Sequence, residues 1–272
     1  MLSYQHAYHA GNAADVQKHA LLAWMLDHLT QKAKPLSYIE THAGRGLYDL
    51  GSDLSVKTGE AAAGVTLVEN RFAPDHPYRR RLAEVRARYG AAAYPGSPLI
   101  AALSLRDCDP IHLAELHPQE YRALCRNLAP WSAHCQHKDG FEAALALCPP
   151  TPRRGLLLID PSYEVKADYD RIPKLLAQIA RKWNVGVICL WYPVLTGNPH
   201  LAMLAELTRT FPAALRSEIR FPSARDRHRM TGSGLFVINP PFGLAAEAAR
   251  IAALFARPVP LAFSPPPAML PK

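Results

Sequence analysis

Several short apolar runs in this sequence end in residues that could do chemistry, and the richest is Leu156-Leu157-Leu158-Ile159-Asp160-Pro161-Ser162-Tyr163-Glu164. If the aliphatic part is a buried strand, its carboxyl end is where α/β proteins place their ligands. A carboxylate, a backbone carbonyl beside a residue with no N–H to donate and an aromatic ring would then stand together. The plainer alternative is an Asp-Pro turn that merely closes the strand. A second run, Leu36 to Glu40, leads into Thr41-His42-Ala43-Gly44-Arg45-Gly46, where bare backbone at two glycines lets a nucleoside-bearing ligand approach closely. Glu115, ending Ile111-His112-Leu113-Ala114-Glu115, could accept both hydroxyls of a ribose, and Asp139 in Lys138-Asp139-Gly140-Phe141 could hold an adenine amine. Taken singly, these are also what a tight turn, a surface carboxylate and a helix N-cap look like. The P-loop pattern is absent, and Gly44-Arg45-Gly46 lacks the third spaced glycine of a dinucleotide fingerprint.

Asp160-Pro161-Ser162-Tyr163 resembles the D-P-P-Y motif of amino methyltransferases, with Ser162 where the motif usually has a second proline. The resemblance makes Asp160, Pro161 and Tyr163 the candidate catalytic residues. An exocyclic base amine is a poor nucleophile because its lone pair is delocalised into the ring. A carboxylate at Asp160 and the carbonyl of Pro161 could accept its two hydrogens and turn the nitrogen toward a sulfonium methyl, while Tyr163 stacks on the base.

The N-terminal block Tyr4 to His19 is too rich in His, Asn and Tyr for a disordered leader. His6, His9 and His19 are irregularly spaced and lack a helical His-x-x-x-His, so no metal is expected. His9-Ala10-Gly11-Asn12 with Asp15, Lys18 and His19, then Thr41-His42-Ala43-Gly44, Pro95-Gly96-Ser97-Pro98 and Asp160 to Glu164 together resemble the large-subunit ribosomal RNA adenine-N6 methyltransferase J family over nearly the whole chain. That resemblance implies a Rossmann-like class I core with a helical insertion, S-adenosylmethionine as cofactor, no metal, and adenine 2030 of 23S rRNA as target. It further implies that Lys18, His19, His42, Ser97, Glu115, Asp139, Gly140 and Asp160 line the cofactor site, and that Tyr4 approaches the RNA; the glycine turn adds Gly44 and Gly46 as cofactor contacts. A DNA adenine N6-methyltransferase, or a noncatalytic RNA-binding assembly factor that keeps the fold, are the alternatives.

These residues need a scaffold of strands alternating with helices. Strands are expected at Leu36–Glu40, Ile111–Leu116, Gly155–Asp160 and Val185–Trp191. Helices are expected near 15–32, 118–128, 169–183 and 200–210, which together make a mostly parallel sheet between helical layers. Ala214–Phe221 and Leu235–Asn239 should form an antiparallel pair at the sheet edge, joined by a basic, exposed connection from Pro222 to Gly234. The stretch from Ser52 to Ser97 exceeds the roughly 30 residues of a strand-helix-strand unit and reads as a helical insertion. The expected division is 1–51 for the N-terminal segment and start of the core, 52–97 for the insertion, 98–258 for the rest of the core, and 259–272 for a proline-rich tail.

Of 272 residues, 31 are Lys or Arg and 23 are Asp or Glu, giving a net charge of +8, which suits a polyanionic partner. Arg225, Arg227 and Arg229 are the candidate RNA contacts, favoured over Arg79 to Arg88 in the insertion because a loop at the sheet's far end can reach the catalytic mouth. The five cysteines form no C-x-x-C pair, and no apolar stretch is long enough to span a bilayer, so a reducing, cytoplasmic setting is expected. No obligate protein partner is evident.

Overall fold

The computed structural model describes residues 9–52, 59–221 and 230–256. In chain order its main elements are α1 (Ala13–Thr30), β1 (Ser37–Glu40), β2 (Leu47–Asp49), α2 (Glu60–Ala63), α3 (Val65–Val68), α4 (Pro77–Tyr89), β3 (Ala93–Pro95), α5 (Ser97–Ser104), β4 (Ile111–Ala114), α6 (Pro118–Asn127), β5 (Ala133–Gln136), α7 (Gly140–Leu147), β6 (Gly155–Ile159), α8 (Asp168–Lys182), β7 (Val187–Leu195), α9 (His200–Thr210), β8 (Leu215–Arg220), β9 (Met230–Ile238) and α10 (Leu244–Ala256). The main sheet runs β5-β4-β1-β6-β7-β9-β8. Every neighbouring pair from β5 to β7 is parallel, and β9 is antiparallel to both β7 and β8. The one reversed strand therefore lies one place in from the edge.

Strand alternation builds a core on each face of the sheet. Tyr38, Leu156, Leu158 and Cys189 pack into one cluster with α1 and α10 residues. Ile39, Leu157, Ile159, Ile188 and Leu190 pack into the other, with Ile172, Leu176 and Leu204 from α8 and α9. β1 and β6 are buried at every position, as strands covered on both faces must be. The chain leaves β1 for β4 and β5 on one side, then returns to β6 and β7 on the other. This reversal opens a crevice above the carboxyl ends of β1 and β6, the switch point at which open α/β sheets bind ligands.

α1 begins where the Asn12 side chain accepts from the Asp15 amide at 2.9 Å, a cap that satisfies one of the helix's unpaired donors. From Ala13 to Ala23 it is buried all round, because α4, α5, α10 and β9 pack against it. The stretch read as an insertion holds α2 to α4 and also β3, which pairs with β2 in a small second sheet. It locks onto the N-terminal block: Val65 N donates to Gly11 O at 2.8 Å, and a Cβ on Gly64 would lie 2.1 Å from that same carbonyl oxygen.

One expectation needs correction, and some elements were not foreseen. The connection from Pro222 to Gly234 is not all exposed: 222–229 lie outside the described residues, but 230–234 are strand, and Gly232, Ser233 and Gly234 are buried. Glycine there makes room, since a Cβ on Gly234 would sit 2.2 Å from the Tyr192 ring, whereas in sequence it reads as a strand breaker. β5 and the small β2–β3 sheet were missed because their short runs are polar or interrupted, and α10 was missed because its alanine-rich run carries little apolar contrast. The tail from 259 onward lies outside the described residues.

α7 starts against the loop that follows β1, and a Cβ on Gly140 would lie 2.0 Å from Thr41 O. We expect Gly140→Ala to cost roughly 1–3 kcal/mol by overpacking, read as a lower denaturation midpoint. An unchanged midpoint would mean that the joint between β1 and α7 can open.

Candidate active site

The crevice is a cavity of about 460 Å³, within the usual range for small-molecule and cofactor sites. Around its wall stand Lys18, His19, His42, Gly44, Ser97, Glu115, Asp139, Gly140, Asp160, Pro161 and Tyr163. These come from the ends of β1, β4, β5 and β6 and from α1 and α5. Gly46 was expected there and is not in the lining. Its role is in the turn: at φ +75° it allows the chain to fold under Leu128, whose Cδ2 would lie 2.8 Å from a Cβ. Tyr4, Arg225, Arg227 and Arg229 lie outside the described residues.

Asp160 follows the last residue of β6, and its Oδ2 accepts from Lys18 Nζ at 2.5 Å. Lys18 also meets Asp15, one helical turn earlier, at 3.1 Å. Burial pushes the Lys18 ammonium down, but the attraction of Asp160 and Asp15 outweighs it and holds the group above its ordinary value. His19, next along α1, has its Nδ1 2.9 Å from Tyr94 OH, and Tyr94 OH is 3.2 Å from Tyr78 OH. Both phenols are raised by burial and act as neutral hydroxyls. The network thus ties α1 to the elements of the inserted stretch.

On the other side of Asp160, Gly44 at φ +60° leaves its backbone bare toward the cavity, and its N–H donates to Glu115 Oε2 at 2.8 Å. His117 N donates to Glu115 Oε1 at 2.7 Å, so the carboxylate is aimed from both oxygens. Burial raises its pKa, against those two amide bonds. Asp139 is both things its sequence context allowed. Its Oδ1 caps α7 by accepting from Phe141 N at 2.9 Å and Glu142 N at 3.0 Å, and it faces the cavity. Burial holds His42 neutral, with its pKa lowered to about 4. Arg45, between the two glycines, makes a two-pronged pair with Glu120 at 2.5 and 2.8 Å and clamps the turn to α6.

Tyr163 has φ +55° and is 7% exposed. Its hydroxyl donates to Trp191 O at 2.8 Å, and its ring lies 4.8 Å from that of Tyr169. Most of the ring is therefore covered by protein. Trp191 and Arg171, which line the cavity, were not singled out from the sequence, and Glu40 was noted only as an acidic residue at a strand end. Arg171 lies over the Phe141 ring at 4.7 Å and 3.8 Å from Asp139. Glu40 is wholly buried beneath the cavity, accepting from Ser97 Oγ at 2.5 Å and Tyr38 OH at 2.8 Å. An acidic residue closing an apolar strand was the available signal for Glu40. The alternation of Trp191, Pro193 and Leu195 along β7 was the signal for Trp191. Among the described residues, no group of three or more His, Cys, Asp or Glu is placed to hold a metal ion.

Residues 33–260 match the family described as ribosomal RNA large subunit methyltransferase D, RlmJ. The chain belongs to this family. It is 39% identical over 252 residues to ribosomal RNA large subunit methyltransferase J of Escherichia coli K12, covering 91% of this chain and 90% of that protein. Its identity to the Haemophilus influenzae protein of the same name is 38% over 257 residues, with 92% of each covered. A crystal structure from Legionella pneumophila, 36% identical, superposes with a TM-score of 0.82 over 90% of this chain and 92% of that one. Membership of this methyltransferase family brings S-adenosylmethionine as the cofactor. Among the described residues no helix is long and apolar enough to cross a membrane.

Burial raises the Glu40 carboxyl to about 8, above the ordinary 4.5. The folded state thus binds the proton more tightly than the unfolded chain, and the stability this gives is full below about pH 4.5 and lost as pH rises through about 8. We expect Glu40→Gln to flatten the fall in unfolding free energy across that window, measured by denaturant titration at stepped pH. Equal slopes in the two proteins would contradict it.

Proposed function

We propose that this chain methylates the exocyclic N6 amine of an adenine in 23S ribosomal RNA, adenine 2030 by family resemblance, with the target base flipped out of its stack. The supporting observation is the placement of Asp160 and Pro161 at the carboxyl end of β6, in the wall of a cavity that spans the switch point. The residues present fit S-adenosylmethionine. Glu115 offers carboxylate oxygens for the ribose, Asp139 for the adenine amine, and Gly44 lines the cavity with no side chain of its own.

Asp160 and Pro161 carry the chemistry in this reading. Lys18 holds Oδ2 of Asp160, and we assign Oδ1 to one hydrogen of the target amine. The Pro161 carbonyl takes the other hydrogen. Held in this way, the nitrogen lone pair points out of the base plane toward the electrophile. When bound, S-adenosylmethionine would supply the methyl group in line with the nitrogen lone pair, the methyl–sulfur bond breaking as the neutral thioether S-adenosylhomocysteine leaves. The surplus proton on nitrogen leaves through Asp160 to water. No covalent enzyme intermediate is needed, and the buried thiols do not favour one: Cys148 is pushed up to about 12 and Cys189 higher, both by burial.

The arginines of the inserted stretch are largely committed within the protein. Arg80 pairs with Asp27, Arg81 with Glu84 and Arg86 with Glu69, each at 2.6 Å. Arg79 donates to Phe72 O at 2.7 Å. Arg216 and Arg220 share Glu218 at 2.6 and 3.6 Å. This supports giving the RNA phosphates to the segment carrying Arg225, Arg227 and Arg229.

Incubating wild type with labelled S-adenosylmethionine and protein-free 23S rRNA, then identifying the nucleoside by mass spectrometry, tests the reaction. N6-methyladenosine is expected; another methylated nucleoside, or transfer to duplex DNA in preference, would overturn the reading. Reversing Arg225, Arg227 and Arg229 to Glu should weaken RNA binding and reduce its salt slope by about two, at roughly 0.7 per single-strand phosphate contact, while leaving cofactor affinity unchanged. Equal loss of both would remove those arginines from the RNA interface.

A further inference from the structure

β7 is longer than the strand beside it. Its pairing with β6 ends at Ile159 opposite Leu190, but it continues to Leu195 and pairs there only with β9, through Pro193 opposite Ser233 and Leu195 opposite Met230. The overhang rises beside Asp160 as one wall of the cavity. Leu190, Tyr192 and Val194 enter the core, and Trp191 packs against the edge of the same cluster; Trp191, Pro193 and Leu195 line the cavity, joined by Met230 from β9. This wall is apolar. The wall beyond β1, β4 and β5 carries His42, Glu115 and Asp139. A zwitterionic cofactor with a ribose suits the polar side, which leaves the apolar side for a planar base.

Within that wall, Trp191 is held as a rigid plate. Its indole N–H donates to the buried Ser233 Oγ at 2.9 Å, and its backbone carbonyl accepts from Tyr163 OH at 2.8 Å. The Lys18 ammonium stands over the ring at 5.6 Å from its centroid, and the Tyr163 ring lies tilted against it at 6.0 Å; Lys18 is also the residue that holds Asp160. The indole thus flanks the carboxylate assigned to the amine. Tyr163, the aromatic residue of the Asp-Pro-x-Tyr run, is 7% exposed and covered by Tyr169, so it has little ring to give, whereas Trp191 is only half-buried.

We infer that Trp191 is the stacking platform for the flipped base, and that the β7–β9 overhang is the acceptor-base subsite of this enzyme. The inference rests on the reading that a base is flipped beside Asp160. Tyr163 then serves mainly as a positioning residue that fixes the Trp191 backbone. A base flipped from its stack loses its neighbours and regains them on an aromatic face.

The test compares wild type, Trp191→Phe and Trp191→Ala in methyl transfer to protein-free 23S rRNA, with S-adenosylmethionine affinity measured by calorimetry on the same preparations. Loss of one stacking face corresponds to about ten- to hundred-fold in kcat/KM for RNA. We expect Trp191→Ala to lose that much, Trp191→Phe to recover most of it, and both to bind S-adenosylmethionine within about two-fold of wild type. A 2-aminopurine placed at the target position of an RNA fragment should be quenched by wild type and brighter with Trp191→Ala. Unchanged kcat/KM in Trp191→Ala, or an equal fall in RNA turnover and cofactor affinity for both variants, would overturn the assignment. A wild type that transfers no methyl to adenine would instead overturn the proposed reaction, a separate outcome.

Discussion

An ammonium group buried in the middle of a helix packed on all sides costs several kcal/mol unless its charge is matched. Lys18 is such a group, and its match comes from two directions: Asp15 one turn back along α1, and Asp160 from the end of the central strand β6. The pairing joins the N-terminal helix to the end of β6 that faces the cavity. Much else is arranged around it. α1 can be buried on all sides because its charged residues find partners, and the cavity keeps its shape because the Asp160 carboxylate is held from behind. Trp191 closes the same corner with its ring near the Lys18 ammonium.

The surrounding contacts restrict what can move. Asn12 caps α1 and also donates to Glu60 at 3.2 Å, while His9 meets both Glu60 oxygens at 3.0 Å. Gly64 and Val65 press on Gly11 from the same stretch, so the helices between β2 and β3 brace the block that carries Lys18 and His19. Further along, His76 and Glu247 pair at 2.9 Å inside the protein, fastening this stretch to α10. A polar network of this kind holds its geometry only when every member is satisfied, which explains why so many histidines and tyrosines gather in one region of an otherwise aliphatic core.

The parts legible in sequence were those where local pattern and long-range packing agree. The aliphatic run before Asp160 could be little other than a buried strand, and Glu115 and Asp139 both appear at strand ends facing the cavity. Asp139 showed that a helix cap and a pocket carboxylate need not be alternatives. What could not be read depended on contacts far apart in sequence. Nothing near Trp191 announces that β7 outruns β6, since an overhang is a property of a pair of strands. The arginines at 79 to 88 read as a basic surface, yet Asp27, Glu69 and Glu84 neutralise several of them. Gly46 read as a cofactor contact because a glycine needed for φ +75° looks the same in sequence as one needed for ligand approach. Gly232 and Gly234 read as a loop because the ring and carbonyl they make room for, Tyr192 and Ile219, lie on neighbouring strands.

The central claim, that a buried pair between Lys18 and Asp160 organises the site, is tested most directly by a double-mutant cycle. The unfolding free energies of wild type, Lys18→Met, Asp160→Asn and the double variant would be measured under one set of conditions. If the pair is the joint described, Lys18→Met leaves the Asp15 and Asp160 carboxylates without their shared cation and costs about 3–5 kcal/mol, while Asp160→Asn, which leaves Lys18 paired with Asp15, costs less. The double variant then costs clearly less than the two together, with a coupling of about 1–3 kcal/mol. Additive losses, with no coupling beyond about 0.5 kcal/mol, would contradict the account and place the support of Asp160 elsewhere.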